Sequence, residues 1–294
     1  MRKFDEEMME CLHAIVEENP MLTLSQINEA LRRRLPNKPR VSIKTLSCKL
    51  DGLLFTTKIA RDLPADRNAP RVLVTRRQFC EWLLSAEVVN SIKVFVDEFG
   101  FDLWMRRSIG RAPRGQRAYR RVATQKGPRL TVCLAISPSF GLVHYQLYHA
   151  GMTKERFAEF INITIGNVDL AAPNQGFNII IDNASCHNEA ELLEVPNSVT
   201  VRRLPVYSPF LTPVENAISA WKAAIKRALT YQESYIDPTE EDLRGRTLAA
   251  YRRDSLEQLA NERVNIITRQ NCIGWYNHSL SYVPRCIAEE PIDG

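Results

Sequence analysis

Three acidic residues stand where the ends of two strands and the start of a helix would bring them together. Asp97 follows the near-continuous apolar run Ile92-Lys93-Val94-Phe95-Val96, and Asp182 follows Phe177-Asn178-Ile179-Ile180-Ile181. Glu215 falls in the first turn of the helix expected after Pro213. Acids that close neighbouring central strands converge at one edge of a sheet. Three carboxylates there suit a hard divalent cation, Mg²⁺ or Mn²⁺, which prefers carboxylate oxygens and water. Two such ions about 3.5–4 Å apart can activate an attacking water or 3′-hydroxyl and stabilise the leaving oxygen in phosphoryl transfer. Each acid also has a plainer reading. Thr212 and Glu215 fit a capping box, Asp182-Asn183 an Asx turn, and Asp97-Glu98 a charged pair closing a strand.

Charge supplies the second clue. The net +5 is unevenly spread: residues 91–130 hold 10 Lys/Arg against 3 Asp/Glu, whereas residues 131–294 hold 14 against 19. Two windows carry no acid at all. The first includes Arg32, Arg33, Arg34, Lys38, Arg40, Lys44 and Lys49; the second runs through Arg106, Arg107, Arg111 and Arg114 to Arg129. A single basic window is usually a solvated face, but two in one chain point to a polyanionic partner, and nucleic acid is the commonest. Gly110 and Gly115 precede no Gly-Lys-Ser/Thr, so no phosphate-cradling loop or nucleotide cofactor is expected. His187 beside Cys186 is a weak metal pair, because adjacent residues in one turn rarely ligate the same ion. The seven cysteines are dispersed without a Cys-x-x-Cys pair, which suits reduced thiols.

The elements that must position these groups follow from periodicity. The 45% hydrophobic fraction is enough for a sizeable core, which excludes disordered and fibrous classes. The chain has no apolar run of about 18 residues and no signal-peptide pattern at its start, so no membrane span is expected and the chain is read as intracellular. Met8, Cys11, Leu12, Ile15 and Val16 form one helical stripe ended by Asn19-Pro20, and Thr23 with Gln26 caps a second helix carrying Leu24, Ile27 and Leu31. Ser42 caps a third, in which Ile43, Leu46, Leu50 and Leu53 are expected to face inward and Gly52 to serve as C-terminal cap. Its outward face would present Lys44, Thr45, Ser47 and Lys49, the kind of short basic helix that a helix-turn-helix domain lays in a major groove. From residue 91 the pattern turns to strands: 92–96, 130–136 and 142–148, a helix from Thr153 to about Val168, strands 177–181 and 199–204, and a helix from Pro213 to Leu229. Three strands followed by alternating strands and helices describe a mixed five-stranded α/β sheet, in the order of the ribonuclease-H-like fold.

The strings around the acids narrow the reading. Val96-Asp97-Glu98-Phe99-Gly100-Phe101 with Arg106-Arg107-Ser108, then Ile180-Ile181-Asp182-Asn183-Ala184-Ser185-Cys186-His187, then Leu204-Pro205-Val206-Tyr207-Ser208-Pro209-Phe210-Leu211-Thr212-Pro213-Val214-Glu215-Asn216 resemble three blocks of mariner-like (Tc-family) transposases of the Asp-Asp-Glu class. The resemblance runs from about residue 20 to the C-terminus. It departs from the family in a slightly short Asp182–Glu215 interval, in Thr212 where Asn is usual, and in Ile218 where Trp is common, while Ser219 and Lys222 match. It implies that Asp97, Asp182 and Glu215 are catalytic and hold two Mg²⁺ or Mn²⁺ ions. It further implies that the protein cuts and rejoins DNA at terminal inverted repeats and in target DNA, as a homodimer on its DNA.

The organisation expected is a helix-turn-helix domain at 1–54, a connector at 55–90, a ribonuclease-H-like catalytic domain at 91–230 and a helical extension at 231–294. DNA contacts are expected from Arg40, Lys44, Thr45, Ser47, Lys49, Arg106, Arg107, Arg111 and Arg114, and support around the acids from Asn183, His187 and Asn216. Family members usually open with a further helix-turn-helix, which this sequence is expected to lack. The rival reading is a transposase-derived DNA-binding protein without transposition activity. The expected location is the nucleus in a eukaryotic host.

Overall fold

The computed structural model describes residues 4–53, 55, 62–102, 129–184, 196, 198–230 and 238–293. They divide into two units, Met1–Pro64 and Ala65–Gly294.

The first unit is three helices, α1 (Glu6–Glu18), α2 (Leu24–Arg34) and α3 (Ile43–Gly52). Each begins on a side-chain cap: Asp5 accepts from the amide of Met8, Thr23 and Gln26 form the expected capping box, and Ser42 accepts from Thr45. Met8, Leu12, Ile15, Ile27, Leu31 and Leu46 build the core. The Asn28 side chain donates to the carbonyl of Val41 at 3.1 Å and fixes the turn that precedes α3. Two details of α3 differ from expectation. Ile43 is 47% exposed, because the first turn of α3 stands clear of the other helices. Gly52 lies within the helix and Leu53 caps it.

The second unit is a five-stranded sheet of order β3-β2-β1-β4-β5, made of β1 (Ile92–Phe101), β2 (Leu130–Ser137), β3 (Gly141–Tyr148), β4 (Phe177–Ile181) and β5 (Val199–Arg203). β1, β2 and β3 are an antiparallel meander. β4 and β5 run parallel to β1. Side chains alternate across the sheet. Val94, Val96, Ile179 and Ile181 enter one core with α6 (Lys154–Ala171), whereas Phe95, Phe101 and Ile180 enter the other. That second core is covered by α4 (Pro70–Leu83), α7 (Val214–Thr230), α9 (Leu248–Arg263), α10 (Arg269–Leu280) and α11 (Val283–Ile287), with two short helices, α5 (Ala86–Val89) and α8 (Glu240–Leu243), between them in sequence. This is the mixed sheet with flanking helices expected of a ribonuclease-H-like fold. Much of the segment expected as a connector folds here: residues 65–68 form a 3-10 turn and α4 and α5 follow. The reason is α4's stripe of Val72, Phe79, Cys80 and Leu83, all buried.

Candidate active site

Register brings the first two acids together. The parallel pairing of β1 and β4 runs from Ile92 opposite Phe177 to Val96 opposite Ile181, so Asp97 and Asp182 are the next residues on adjacent strands. Asp97 does not end its strand as expected. β1 continues to Phe101 because Glu98 to Phe101 keep pairing with β2; only the parallel partner stops there. By alternation Asp97 shares the face of Phe95, which is the face that α7 covers.

α7 supplies the third acid. Trp221, fully buried, donates its indole N–H to the carbonyl of Ala260 at 3.1 Å and meets Phe99 and Phe101 edge-on. Ala217, Ile218 and Ile225 extend that apolar stripe into the core. With α7 pinned, Glu215 in its first turn faces the strand ends. Asp97, Asp182 and Glu215 line one cavity of about 410 Å³, together with Asn183, Tyr207, Ser208 and Thr212.

The surroundings hold each group in place. Asp97 is only 8% exposed and its Oδ1 accepts from the amide of Glu98 at 2.7 Å. Asp182 Oδ1 accepts from the amide of Ala184 at 3.0 Å. The Asx turn therefore exists, and it orients the carboxylate at the mouth of the cavity. The Asn183 amide donates to the carbonyl of Leu204 at 2.5 Å and ties the end of β4 to the chain leaving β5. Thr212, buried, accepts from the amide of Val214 at 3.5 Å. Asn216 is half-buried beside Glu215 and is not among the residues lining the cavity.

The acids act on one another electrostatically. Burial, then the charges of Glu215 and Asp182, push Asp97 up to about 8. Glu215 is also raised, first by burial; the Lys222 ammonium two turns along α7 opposes this and the Asp182 charge adds to it. Lys222 lies 4.9 Å from the centroid of Phe99. Among the described residues no three His, Cys, Asp or Glu form a closed metal cluster. The donor set still fits a divalent cation of the Mg²⁺ kind, which takes one or two carboxylates and keeps several waters. Like charges without a counter-ion also raise each other's affinity for protons, as Asp97 shows.

Of the expected DNA contacts, Lys44 is exposed on α3, Thr45, Ser47 and Lys49 are half-buried at its sides, and Arg40 is exposed just before it. The first basic window is partly used within its own unit: Arg33 pairs with Glu29, Arg34 with Glu18, and Lys38 with Asp5 and Glu7. Arg106, Arg107, Arg111, Arg114 and His187 lie outside the described residues.

One positioning residue escaped the sequence reading. Arg76 of α4 is fully buried. Its guanidinium donates to Ser208 Oγ (2.9 Å), Asn68 Oδ1 (3.0 Å) and the carbonyls of Arg67 (2.8 Å) and Tyr207 (3.0 Å), and it stacks 5.2 Å from the centroid of Phe210. Tyr207 sits at φ 56°, a left-handed conformation uncommon for a large side chain. Arg76 therefore clamps the segment that lines the cavity just ahead of Glu215. The signal was present, since Val72, Arg76, Phe79 and Leu83 share one helical stripe and a cation on such a stripe has a partner to reach. Arg76→Lys keeps the charge but loses the fork of donors. Two stranded carbonyls at about 1–3 kcal/mol each make a loss of about 3 kcal/mol, a fall of about 6–12 °C in Tm for a unit of this size. Calorimetry checks it; a shift under about 2 °C would mean that Arg76 is not the clamp.

Comparison with known proteins agrees with this geometry. Residues 93–235 match the family model described as DDE superfamily endonuclease. No curated protein matches the chain. Among solved structures, the Mos1 mariner paired end complex with Mn is 19% identical, with a TM-score of 0.70 over 100% of this chain and 81% of that one. The Mos1 strand transfer complex is 19% identical, with 0.68 over 100% and 80%. The Mos1 transposase paired-end complex with the left transposon end is 20% identical, with 0.68 over 98% and 79%. At these identities the likeness establishes a shared fold.

Proposed function

We propose that this chain, whose residues 93–235 form a DDE superfamily endonuclease domain, is a mariner-like DNA transposase that cleaves DNA strands and transfers their ends. The observation that carries the reading is the meeting of Asp97, Asp182 and Glu215 in one cavity of a ribonuclease-H-like sheet. Burying like-charged acids together costs stability unless a cation neutralises them, which a purely structural role does not call for and a cation site does. The complexes of Mos1 with Mn and with transposon ends support a divalent metal and DNA as partners, and we extend this to two Mg²⁺ or Mn²⁺ ions, terminal inverted repeats and a homodimer on the DNA. The nucleus is the corresponding location in a eukaryotic host.

Asp97, Asp182 and Glu215 would hold the cations. The bound metal supplies a nucleophile at neutral pH and charge stabilisation for the leaving oxygen. The chain's own groups do the positioning. The Asx turn of Asp182 and the Glu98 amide at Asp97 fix two carboxylates on a rigid sheet end, and Arg76 holds the opposite wall. Incubating the protein and Mg²⁺ with a supercoiled plasmid carrying the element's ends tests the reading: nicked and linear products that vanish with chelator are expected, and their absence under saturating metal would contradict it.

The first unit fits duplex docking through α3, whose exposed Lys44, half-buried Ser47 and exposed Cys48 share one face. Replacing Arg40 and Lys44 with Ala should lower the salt dependence of duplex binding by about 0.9 in log–log slope per lost phosphate contact. Fluorescence anisotropy across a salt series reads it, and an unchanged slope would remove both residues from the interface.

A further inference from the structure

An acidic cavity that works on a polyanion needs cations beside it, or the strand is repelled before it arrives. On one side of the acids stands Lys222, whose ammonium pKa is lowered first by burial and then by the charge of Arg129. The other side is less obvious. A second cavity of about 420 Å³ shares a wall with the first, made of Asn183, Leu204, Pro205 and Val206. Across it stand Arg202 of β5 and the exposed Thr75 and Gln78 of α4. Arg202 is exposed and its guanidinium lies 5.3 Å from the centroid of Trp82. Stacking holds the side chain in place at little further entropic cost. Arg202 lines the groove, and among the described residues no carboxylate forms an ion pair with it.

We propose that this groove between α4 and β5 holds the sugar–phosphate backbone of the single DNA strand running on from the cleavage position, with Arg202 on a phosphate and the Gln78 amide as a neutral donor beside it. The inference rests on the proposed function of the adjoining acids and adds where the strand goes. The groove is too small for a duplex. Its donors are a guanidinium and a side-chain amide, groups that bind phosphate oxygens without reading sequence, whereas the Thr75 hydroxyl is already given to the Val72 carbonyl at 2.8 Å. The residues it shares with the acids' cavity place the two side by side.

The test uses the full chain carrying Asp182→Asn, so that binding is measured without cleavage, and a single-stranded oligonucleotide of arbitrary sequence as probe. Arg202→Ala should weaken binding and lower the log–log salt slope by about 0.7, the value of one single-strand phosphate contact. Gln78→Lys should raise the slope by about the same amount, an effect that misfolding cannot mimic. Arg263→Ala, an exposed arginine on α9 that lines neither cavity, should change neither. Unchanged slopes for Arg202→Ala and Gln78→Lys, with the parent chain still cleaving plasmid, would overturn the groove and leave the acids' role standing. A parent chain that neither binds the oligonucleotide nor cleaves DNA would overturn both.

Discussion

Asp182→Asn should reduce metal-dependent strand cleavage by about a thousandfold or more, with the fold intact. The substitution is nearly isosteric. Asn Oδ1 can still accept from the Ala184 amide that Asp182 holds at 3.0 Å, so the turn survives and only the negative charge goes. If the acid served only to close a strand, cleavage would be unaffected, because the turn is kept. Glu215→Gln separates the two readings of the helix start. Gln completes a capping box as well as Glu does, yet it cannot carry an anionic oxygen into the cavity, so a comparable loss is expected. Initial nicking rates, measured beside melting temperatures, decide the matter. A fall of less than about tenfold in either variant would remove that residue from the chemistry.

Asp97→Asn should do something different as well: stabilise the metal-free protein as pH rises. Asp97 is pushed from an ordinary 3.8 up to about 8, first by burial and then by Glu215 and Asp182. The folded chain therefore holds this proton more tightly than the unfolded chain. The stability it contributes is fully present below the ordinary carboxylate value and is lost as pH climbs toward about 8. Between about pH 5 and pH 8 the loss is close to 1.36 kcal/mol per unit, about 4 kcal/mol in all. Asn does not titrate, so in chelator the variant should gain on the wild type across that window, by about 8 °C or more in Tm at the upper end. Divalent metal should close the gap from the wild-type side, because a ligand bound only by the native state stabilises it. Parallel melting curves for the two proteins would exclude the crowded, metal-free carboxylate cluster.

The acids were legible because their neighbours are unambiguous. An apolar pentapeptide such as Phe177 to Ile181 can only be a buried strand, and an Asp directly after it marks a sheet edge. Asp97 was found for the same reason but placed differently, since the pairing of Glu98 to Phe101 with β2 is a long-range fact that no local pattern encodes. Capping was readable at Thr23 and Ser42, where the interaction spans three residues. Ile43 misled because helical phase alone does not say where a neighbouring helix ends. The stripe that buries Arg76 was readable but its role was not, because the cavity-lining partners Tyr207 and Ser208 lie about 130 residues away, and a cation satisfied by carbonyls, an amide oxygen and a hydroxyl leaves no acidic counterpart in the sequence to find.

The central claim is that Asp97, Asp182 and Glu215 together hold divalent metal. Anomalous diffraction at the manganese edge, from crystals of the full chain grown with Mn²⁺, tests it without reference to DNA or turnover. The account predicts manganese density bounded by the Asp97 and Asp182 carboxylates with Glu215 alongside, and its loss in Asp97→Asn crystals. Manganese bound elsewhere, or an empty cavity at saturating Mn²⁺, would contradict it.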